Sequence, residues 1–165
     1  MRNSVRFNKR FHDVKNLLRL LTLVFLGACA GPSQSLVVKQ FKLRDQTRVA
    51  ADEPMVQMEK ERHLLGAVTM EQRRQRLGQY YTLLWRDSAG VGQGKVRVVF
   101  QFQQGATASL VKRMTKDFPA SEAQGTAEFA VIGDDYFKNG KVLAWKASVL
   151  RGDREFATRQ SYLWQ

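Results

Sequence analysis

Asp134 and Asp135, in the stretch Gly133-Asp134-Asp135-Tyr136, form the chain's one candidate carboxylate cluster. Such a pair could bind calcium or divide acid and base work, but calcium takes six or more oxygen ligands, often from loops richer in Asp and Asn. Neighbouring residues on a turn point apart, and with Gly133 before them and Asn139-Gly140 after, a plain turn is the better reading. Two-carboxylate glycoside chemistry would need a further acid from Asp87, Asp153 or Glu155, and spacing alone does not supply one.

His63, just before Leu64 and Leu65, reads as a surface or boundary residue of a short helix rather than a general base. Cys29 is the single cysteine. That excludes an intramolecular disulfide and leaves nothing from which to build a His/Cys zinc site. The glycine-rich piece from Ala89 to Lys95 fails as a phosphate loop: the first glycine of the motif falls on Ala89, and Val96 stands where Ser or Thr must follow the lysine. It reads as a flexible hairpin loop. No nucleophile, imidazole and acid come together. The residues therefore point to no catalytic site, no metal and no cofactor, and to a protein that is not an enzyme.

Two features could bind rather than react. Arg73, Arg74 and Arg76 lie too close together on one short helix for all to face a core, so they form a possible basic patch beside the domain or above a membrane. Tyr80, Tyr81, Trp85, Trp145, Tyr162 and Trp164 could stack on sugar rings or bases, although Trp85 and Trp145 share faces with aliphatic residues and read as core.

These side chains hang on a strand-rich frame. In Lys95–Gln103 the residues Val96, Val98, Phe100 and Phe102 alternate with Lys95, Arg97, Val99 and Gln101, the period of a strand with one buried face. Tyr81, Leu83 and Trp85 alternate in the same way within a stretch apolar on both sides, which predicts a central strand. Val37, Phe41 and Leu43 predict a first strand at an edge. Residues 105–120 read either as an edge strand guarded by Lys112, Arg113 and Lys116 or as a crossing loop. A strand with Ala127, Phe129 and Val131 on one face follows. Asn139-Gly140 is a hairpin cue. Beyond it, Leu143, Trp145, Ala147 and Val149 are expected to share a face, and a last strand with Phe156, Thr158, Gln160 and Tyr162 on one side runs almost to the end.

Residues from about 53 to 77 have helical character. Pro54 is tolerated in a first turn and Gly66 is a stop, then Thr69 and Gln72 have the spacing of a capping box. The sum is a mainly β chain: an antiparallel β-sandwich, immunoglobulin-like or similar, or a curved sheet, with one or two short N-terminal helices.

The remaining signal is an address. Arg2, Arg6, Lys9, Arg10, Lys15 and Arg19 precede an apolar run from Leu20 to Leu26, and Gly27, Ala28 and Ala30 follow. Basic, apolar and small in that order is a secretory signal peptide, and the run is far short of the roughly 20 residues a bilayer span needs. Leu26-Gly27-Ala28-Cys29 resembles the lipobox of bacterial lipoproteins. That resemblance implies cleavage after Ala28, a diacylglycerol thioether on Cys29 and anchoring by more than one acyl chain, which stable attachment requires. Ala30, in place of an aspartate, implies delivery to the outer membrane. Ala28-Cys29-Ala30 also fits the ordinary A-x-A signature, whose cleavage would release a soluble periplasmic or secreted protein.

The expected organisation is a signal peptide over 1–28, a lipidated tether over 29–36 and one β-rich domain over 37–165. The leader holds six of the 27 basic residues and one of the 15 acidic ones, leaving 21 cations against 14 acids. A basic exported domain without a catalytic set is expected to be a lipid-anchored envelope module that binds another envelope protein or an anionic polymer. A carboxylate-dependent envelope glycan hydrolase and an accessory subunit of an envelope complex are the alternatives, and export argues against nucleic acid as a client.

Overall fold

Strand-forming, β-branched and aromatic residues dominate from Gly78 onward, and there the chain pairs with itself almost without interruption. The computed structural model describes residues 34–44, 53–90, 92 and 94–164. The leader, Ala28, Cys29 and residues 45–52 lie outside the described residues. In chain order the elements are β1 (Leu36–Leu43), α1 (Pro54–Leu64), α2 (Met70–Arg74), β2 (Gly78–Arg86), β3 (Val96–Gln104), β4 (Lys112–Phe118), β5 (Gln124–Ile132), α3 (Gly133–Asn139), β6 (Val142–Arg151) and β7 (Arg154–Gln160).

Seven strands make two antiparallel sheets, one ordered β1-β2-β5 and the other β4-β3-β6-β7. Their inner faces meet as a β-sandwich, the class the alternation predicts. Tyr81, Leu83 and Trp85 of β2 and Ala127, Phe129 and Val131 of β5 face Val96, Val98, Phe100 and Phe102 of β3 and Trp145, Ala147 and Val149 of β6. Phe100 is the hub: its ring lies 4.6 Å from Tyr81, 5.5 Å from Phe129 and 5.6 Å from Phe102. Burial in this apolar centre pushes the Tyr81 phenol well above its ordinary range.

Gly125 sits in β5 because nothing larger fits. A Cβ there would lie 2.9 Å from the Trp85 ring. Trp85 in turn packs edge-on against Phe118 of β4 and Phe156 of β7, so the glycine lets one indole seal the end of both sheets.

Several expectations change in detail. In β1 the inward residues are Leu36 and Val38, opposite Trp85 and Leu83, while Phe41 lies on the outer face under α1. The 105–120 region resolves into a turn followed by the edge strand β4. Asn139-Gly140 closes no hairpin. It ends α3, where Gly140 at φ +81° donates its N–H to the Tyr136 carbonyl, since positive φ serves a helix stop as well as a turn. Leu143 leaves the core because a bulge at Gln103/Gln104 shifts the β3–β6 register, turning Val142 inward and leaving Leu143 44% exposed. A second irregularity at Val149/Leu150 lets both Phe156 and Ala157 pack against the core, and β7 stops at Gln160.

The capping box forms as read. Gln72 N donates to Thr69 Oγ1, and Thr69 N donates to Gln72 Oε1. Among the described residues no helix is long and apolar enough to cross a membrane.

Candidate functional site

Asp134 and Asp135 open α3 and turn to different neighbours. Asp134 accepts from Gln75 Nε2 at 3.2 Å and from Lys138 Nζ at 3.3 Å, and these contacts hold its carboxyl below the usual range. Asp135 accepts from Asn139 Nδ2 at 2.7 Å and pairs with Lys112 at the start of β4. One carboxylate fastens α3 to the residue after α2, the other fastens it to the second sheet. Among the described residues no group of three or more His, Cys, Asp or Glu could hold a metal ion.

His63 is a packing residue with a charged rim. Its ring stacks 3.6 Å from Tyr80 and 5.3 Å from Phe41, on the outer face of the three-stranded sheet. Nε2 lies 3.1 Å from Glu59, and Arg62 bridges Glu59 at 2.8 Å and Glu128 of β5 at 3.2 Å. Desolvation first, then the nearby Arg62 cation, pushes the imidazole below its ordinary value. The Arg62 hydrogen bond holds Glu59 low. A shallow cleft of about 260 Å³ lies beside this cluster, bordered by Arg62, His63, Tyr80, Thr82 and Glu128. With the imidazole stacked on Tyr80 and close to Phe41, and the acid bound to arginine, the group clamps α1 to the sheet.

The three arginines of the basic patch do unequal work. Arg73 Nε donates to the Ala67 carbonyl and Arg76 Nη1 to the His63 carbonyl, each at 3.2 Å, satisfying carbonyls at the corner between α1 and α2. The Tyr80 hydroxyl donates to the Arg76 carbonyl at 2.6 Å and ties that corner to β2. Arg74 is exposed and lies over the Phe137 ring at 4.5 Å.

The glycine-rich segment joins β2 to β3, but these strands lie in different sheets, so it crosses from one sheet to the other and closes no hairpin; beside it lies a group that the sequence offered only as a possible glycosidase partner. Asp87 accepts from Arg151 Nε at 2.7 Å, from the Ala89 amide at 3.0 Å and from Arg154 at 3.1 Å. Arg151 also donates to the carbonyls of Ala120 at 3.0 Å and Glu122 at 2.7 Å. Burial alone would raise the Asp87 pKa, but the Arg151 bond, the Ala89 amide and Arg154 outweigh it and hold the carboxyl low. The only sequence signal was an acid closing one strand and an arginine closing another.

The strand registers give the sandwich two unlike ends. At the first, β2 and β6 finish and the Asp87–Arg151 pair locks the turns. Leu36, where the described strands begin, stands at this end opposite Trp85. Segments 87–95, 119–123 and 152–153 here carry one cation against three acids. Among their described residues none is an exposed large hydrophobic.

At the second end β1, β3 and β5 finish, β2, β4 and β6 begin, and all three helices or helix corners gather; Gln79 Oε1 accepting from Val142 N and Gln104 Nε2 donating to the Asp135 and Gly140 carbonyls join the sheets. Leu65 and Val68 at the α1–α2 corner are 79% and 81% exposed, and Met70 follows. Phe137 on α3, Leu110 and Val111 before β4, and Leu143 are exposed too. After β7, a turn in which Trp164 N donates to the Ser161 carbonyl holds Tyr162 at 99% exposure beside Leu163. Of the sequence's aromatic platform, Tyr81, Trp85 and Trp145 are core, Tyr80 lies on the outer face of the sheet against His63, and Tyr162 projects. Segments 65–77, 105–113 and 133–141 hold seven cations against three acids, and those acids, Glu71, Asp134 and Asp135, are all engaged by neighbours. This end, apolar and cationic together, is the candidate binding surface. No family model, no curated protein and no solved structure matches this chain.

Proposed function

We propose that this chain is an exported, lipid-anchored, non-enzymatic docking module of a bacterial envelope, held at the outer membrane by acyl chains on Cys29 and presenting its helix-bearing end to a partner. The observation that carries this reading is the polarity of the sandwich. Nine of the twelve exposed large apolar side chains among the described residues, with an excess of cations, belong to segments at the end remote from Leu36, while Met55, Val56 and Met58 are carried on α1; exposed apolar surface marks interaction sites on soluble domains. The lipobox-like Leu26-Gly27-Ala28-Cys29 supports the anchor. The divergent partners of Asp134 and Asp135 favour binding over glycan hydrolysis.

Membrane fractionation tests the anchor. Native protein is expected in the outer-membrane fraction, with a diacylglyceryl N-terminal cysteine by mass analysis, and Cys29→Ala is expected to shift it out of that fraction. An unmodified N-terminus at Gly31 would overturn the lipid attachment. A glycan-cleaving activity lost in Asp134→Asn/Asp135→Asn, with the fold intact, would overturn the docking role.

A further inference from the structure

We infer that the free edge of β5 pairs antiparallel with β5 of a second copy of this chain, making one six-stranded sheet from two three-stranded ones. The inference goes beyond the docking role above and needs neither the anchor nor the helix-bearing end.

β5 is the outer strand of its sheet, with β2 on one side and no strand on the other among the described residues. Its free backbone groups follow from the two hydrogen bonds that bracket the β2–β5 ladder: Asp87 N donates to the Ala123 carbonyl at 2.8 Å and Gly133 N to the Leu77 carbonyl at 2.9 Å. The register between them runs without a shift. Antiparallel residues alternate between exchanging both bonds and exchanging none, so Gly125, Ala127, Phe129 and Val131 bond to β2. Gln124, Thr126, Glu128 and Ala130 turn their N–H and C=O groups to the open side, and the first three are exposed residues.

The other three sheet edges are guarded. β4 carries Lys112 and Lys116 on its inner face, opposite Phe102 and Val98, with Arg113 between them. In β1, Lys42 has the inner-face parity of Val38, and β7 has Arg154, Arg159 and the irregularity at Val149/Leu150. Inward charges, basic residues and bulges are the devices that stop an edge from pairing. Gln124–Ile132 has none of them: it holds no Lys, Arg or Pro, its register is unbroken, and its single charge, Glu128, is bridged by Arg62 at 3.2 Å.

The same geometry sets the occupant. Donors and acceptors that repeat every second residue, roughly 7 Å apart, are matched by an extended polypeptide and by neither a lipid surface nor a glycan. Among the described strands β5 is the one bare edge, so the strand of this chain that it fits is its own copy. An open edge pairing with itself about a two-fold axis closes at a dimer, whereas a second open edge would let copies add head to tail without end. Three guarded edges and one bare one are the pattern of a closed pair. In the register that uses the whole strand, Thr126 meets Ala130 of the second copy and Glu128 meets Glu128. Like charges directly opposite disfavour pairing, but Arg62 of each copy stands at its own Glu128, so the axis carries two acids and two guanidiniums.

Site-directed photocrosslinking of the full chain in the cells that make it tests the inference. A benzophenone amino acid replaces Thr126 in one variant and Arg159, on the β7 edge, in another. The expected result is a dimer-sized adduct from position 126, joined within residues 124–132 of the second copy by mass spectrometry, and none from 159. Added to the Thr126 variant, Ala130→Pro removes a donor on the open side without touching the β2 ladder, and should lower the yield roughly tenfold with the melting temperature unchanged. Arg62→Ala leaves two carboxylates facing each other and should lower it about threefold. Where Ala130→Pro does not fold, Arg62→Ala decides alone. An adduct to a different protein, to lipid or to glycan would overturn the inference, as would no adduct, an equal adduct from position 159, or an unchanged yield in either folded variant.

Discussion

Arg151 and Asp87, 64 residues apart in sequence, meet at 2.7 Å with both side chains almost wholly out of solvent. The guanidinium also holds the carbonyls of Ala120 and Glu122, so one side chain joins β6, the end of β2 and the turn that leads into β5. Few single changes should matter more to the fold.

Arg151→Met is expected to cost about 3–5 kcal/mol, because it strands a buried carboxylate and frees two carbonyls. Arg151→Lys should cost less, since it keeps a charge but lacks the fork that reaches Asp87 and both carbonyls together. The double variant Asp87→Asn/Arg151→Met should lose less than the two single losses added. Urea unfolding of wild type, Asp87→Asn, Arg151→Met, Arg151→Lys and the double variant measures all three expectations. The depressed Asp87 pKa adds a pH signature: the stabilisation is fully present above the unfolded value of about 3.9 and is lost as pH falls through the lower folded value.

His63 predicts a second window. Its folded pKa lies below the unfolded value of about 6.5, so in that interval the unfolded chain binds the proton first. The contribution is present above about pH 6.5 and declines as pH falls toward the folded value. His63→Phe keeps a ring stacked against Tyr80 and Phe41 without titrating. Denaturation at a series of pH values should show wild type losing stability relative to this variant on acidification, whereas parallel profiles would contradict the assignment.

Gly125 and Gly66 separate crowding from backbone strain. Gly125→Ala drives a methyl to 2.9 Å from the Trp85 ring and is expected to cost about 1–3 kcal/mol. Gly66, at φ +81°, has no atom within 4 Å of an added Cβ, so Gly66→Ala should cost only about 1 kcal/mol of backbone strain. Thermal unfolding should rank Gly125→Ala as the more damaging.

Phe100 and Leu143 test the bulge. Phe100→Ala empties the centre of the core and is expected to cost about 3–5 kcal/mol. Leu143→Ala should change stability by no more than about 0.5 kcal/mol, because that side chain points outward. A large loss at Leu143 would restore the simple alternation and refute the register shift.

Strict alternation is what made the core legible. Val96 to Phe102 and Tyr81 to Trp85 show their buried faces in the sequence because β2 and β3 pair without interruption over those residues. Where an extra residue enters a strand the period breaks, and neither Leu143 nor the Phe156–Ala157 pair carries a local sign of it. Thr69 and Gln72 revealed α2 because a capping box is local chemistry. Asn139-Gly140 misled because the same positive φ serves two kinds of chain reversal. The candidate binding end was harder to read: Leu65, Leu110, Phe137 and Tyr162 lie far apart in sequence, and only strand order brings their segments to one end. Asp87 and Arg151 were hidden for the same reason, as a non-local pair leaves no spacing.

Distance along the chain also sets the tempo of assembly. β1 pairs with β2 across the whole helical segment, joining Leu43 to Gly78, and β2 pairs with β5 only after β3 and β4 have been made. Topologies dominated by such remote pairings mature in milliseconds to seconds, far behind helical bundles. A chain that must bring such distant segments together is expected to stay open for longer than one built of local contacts.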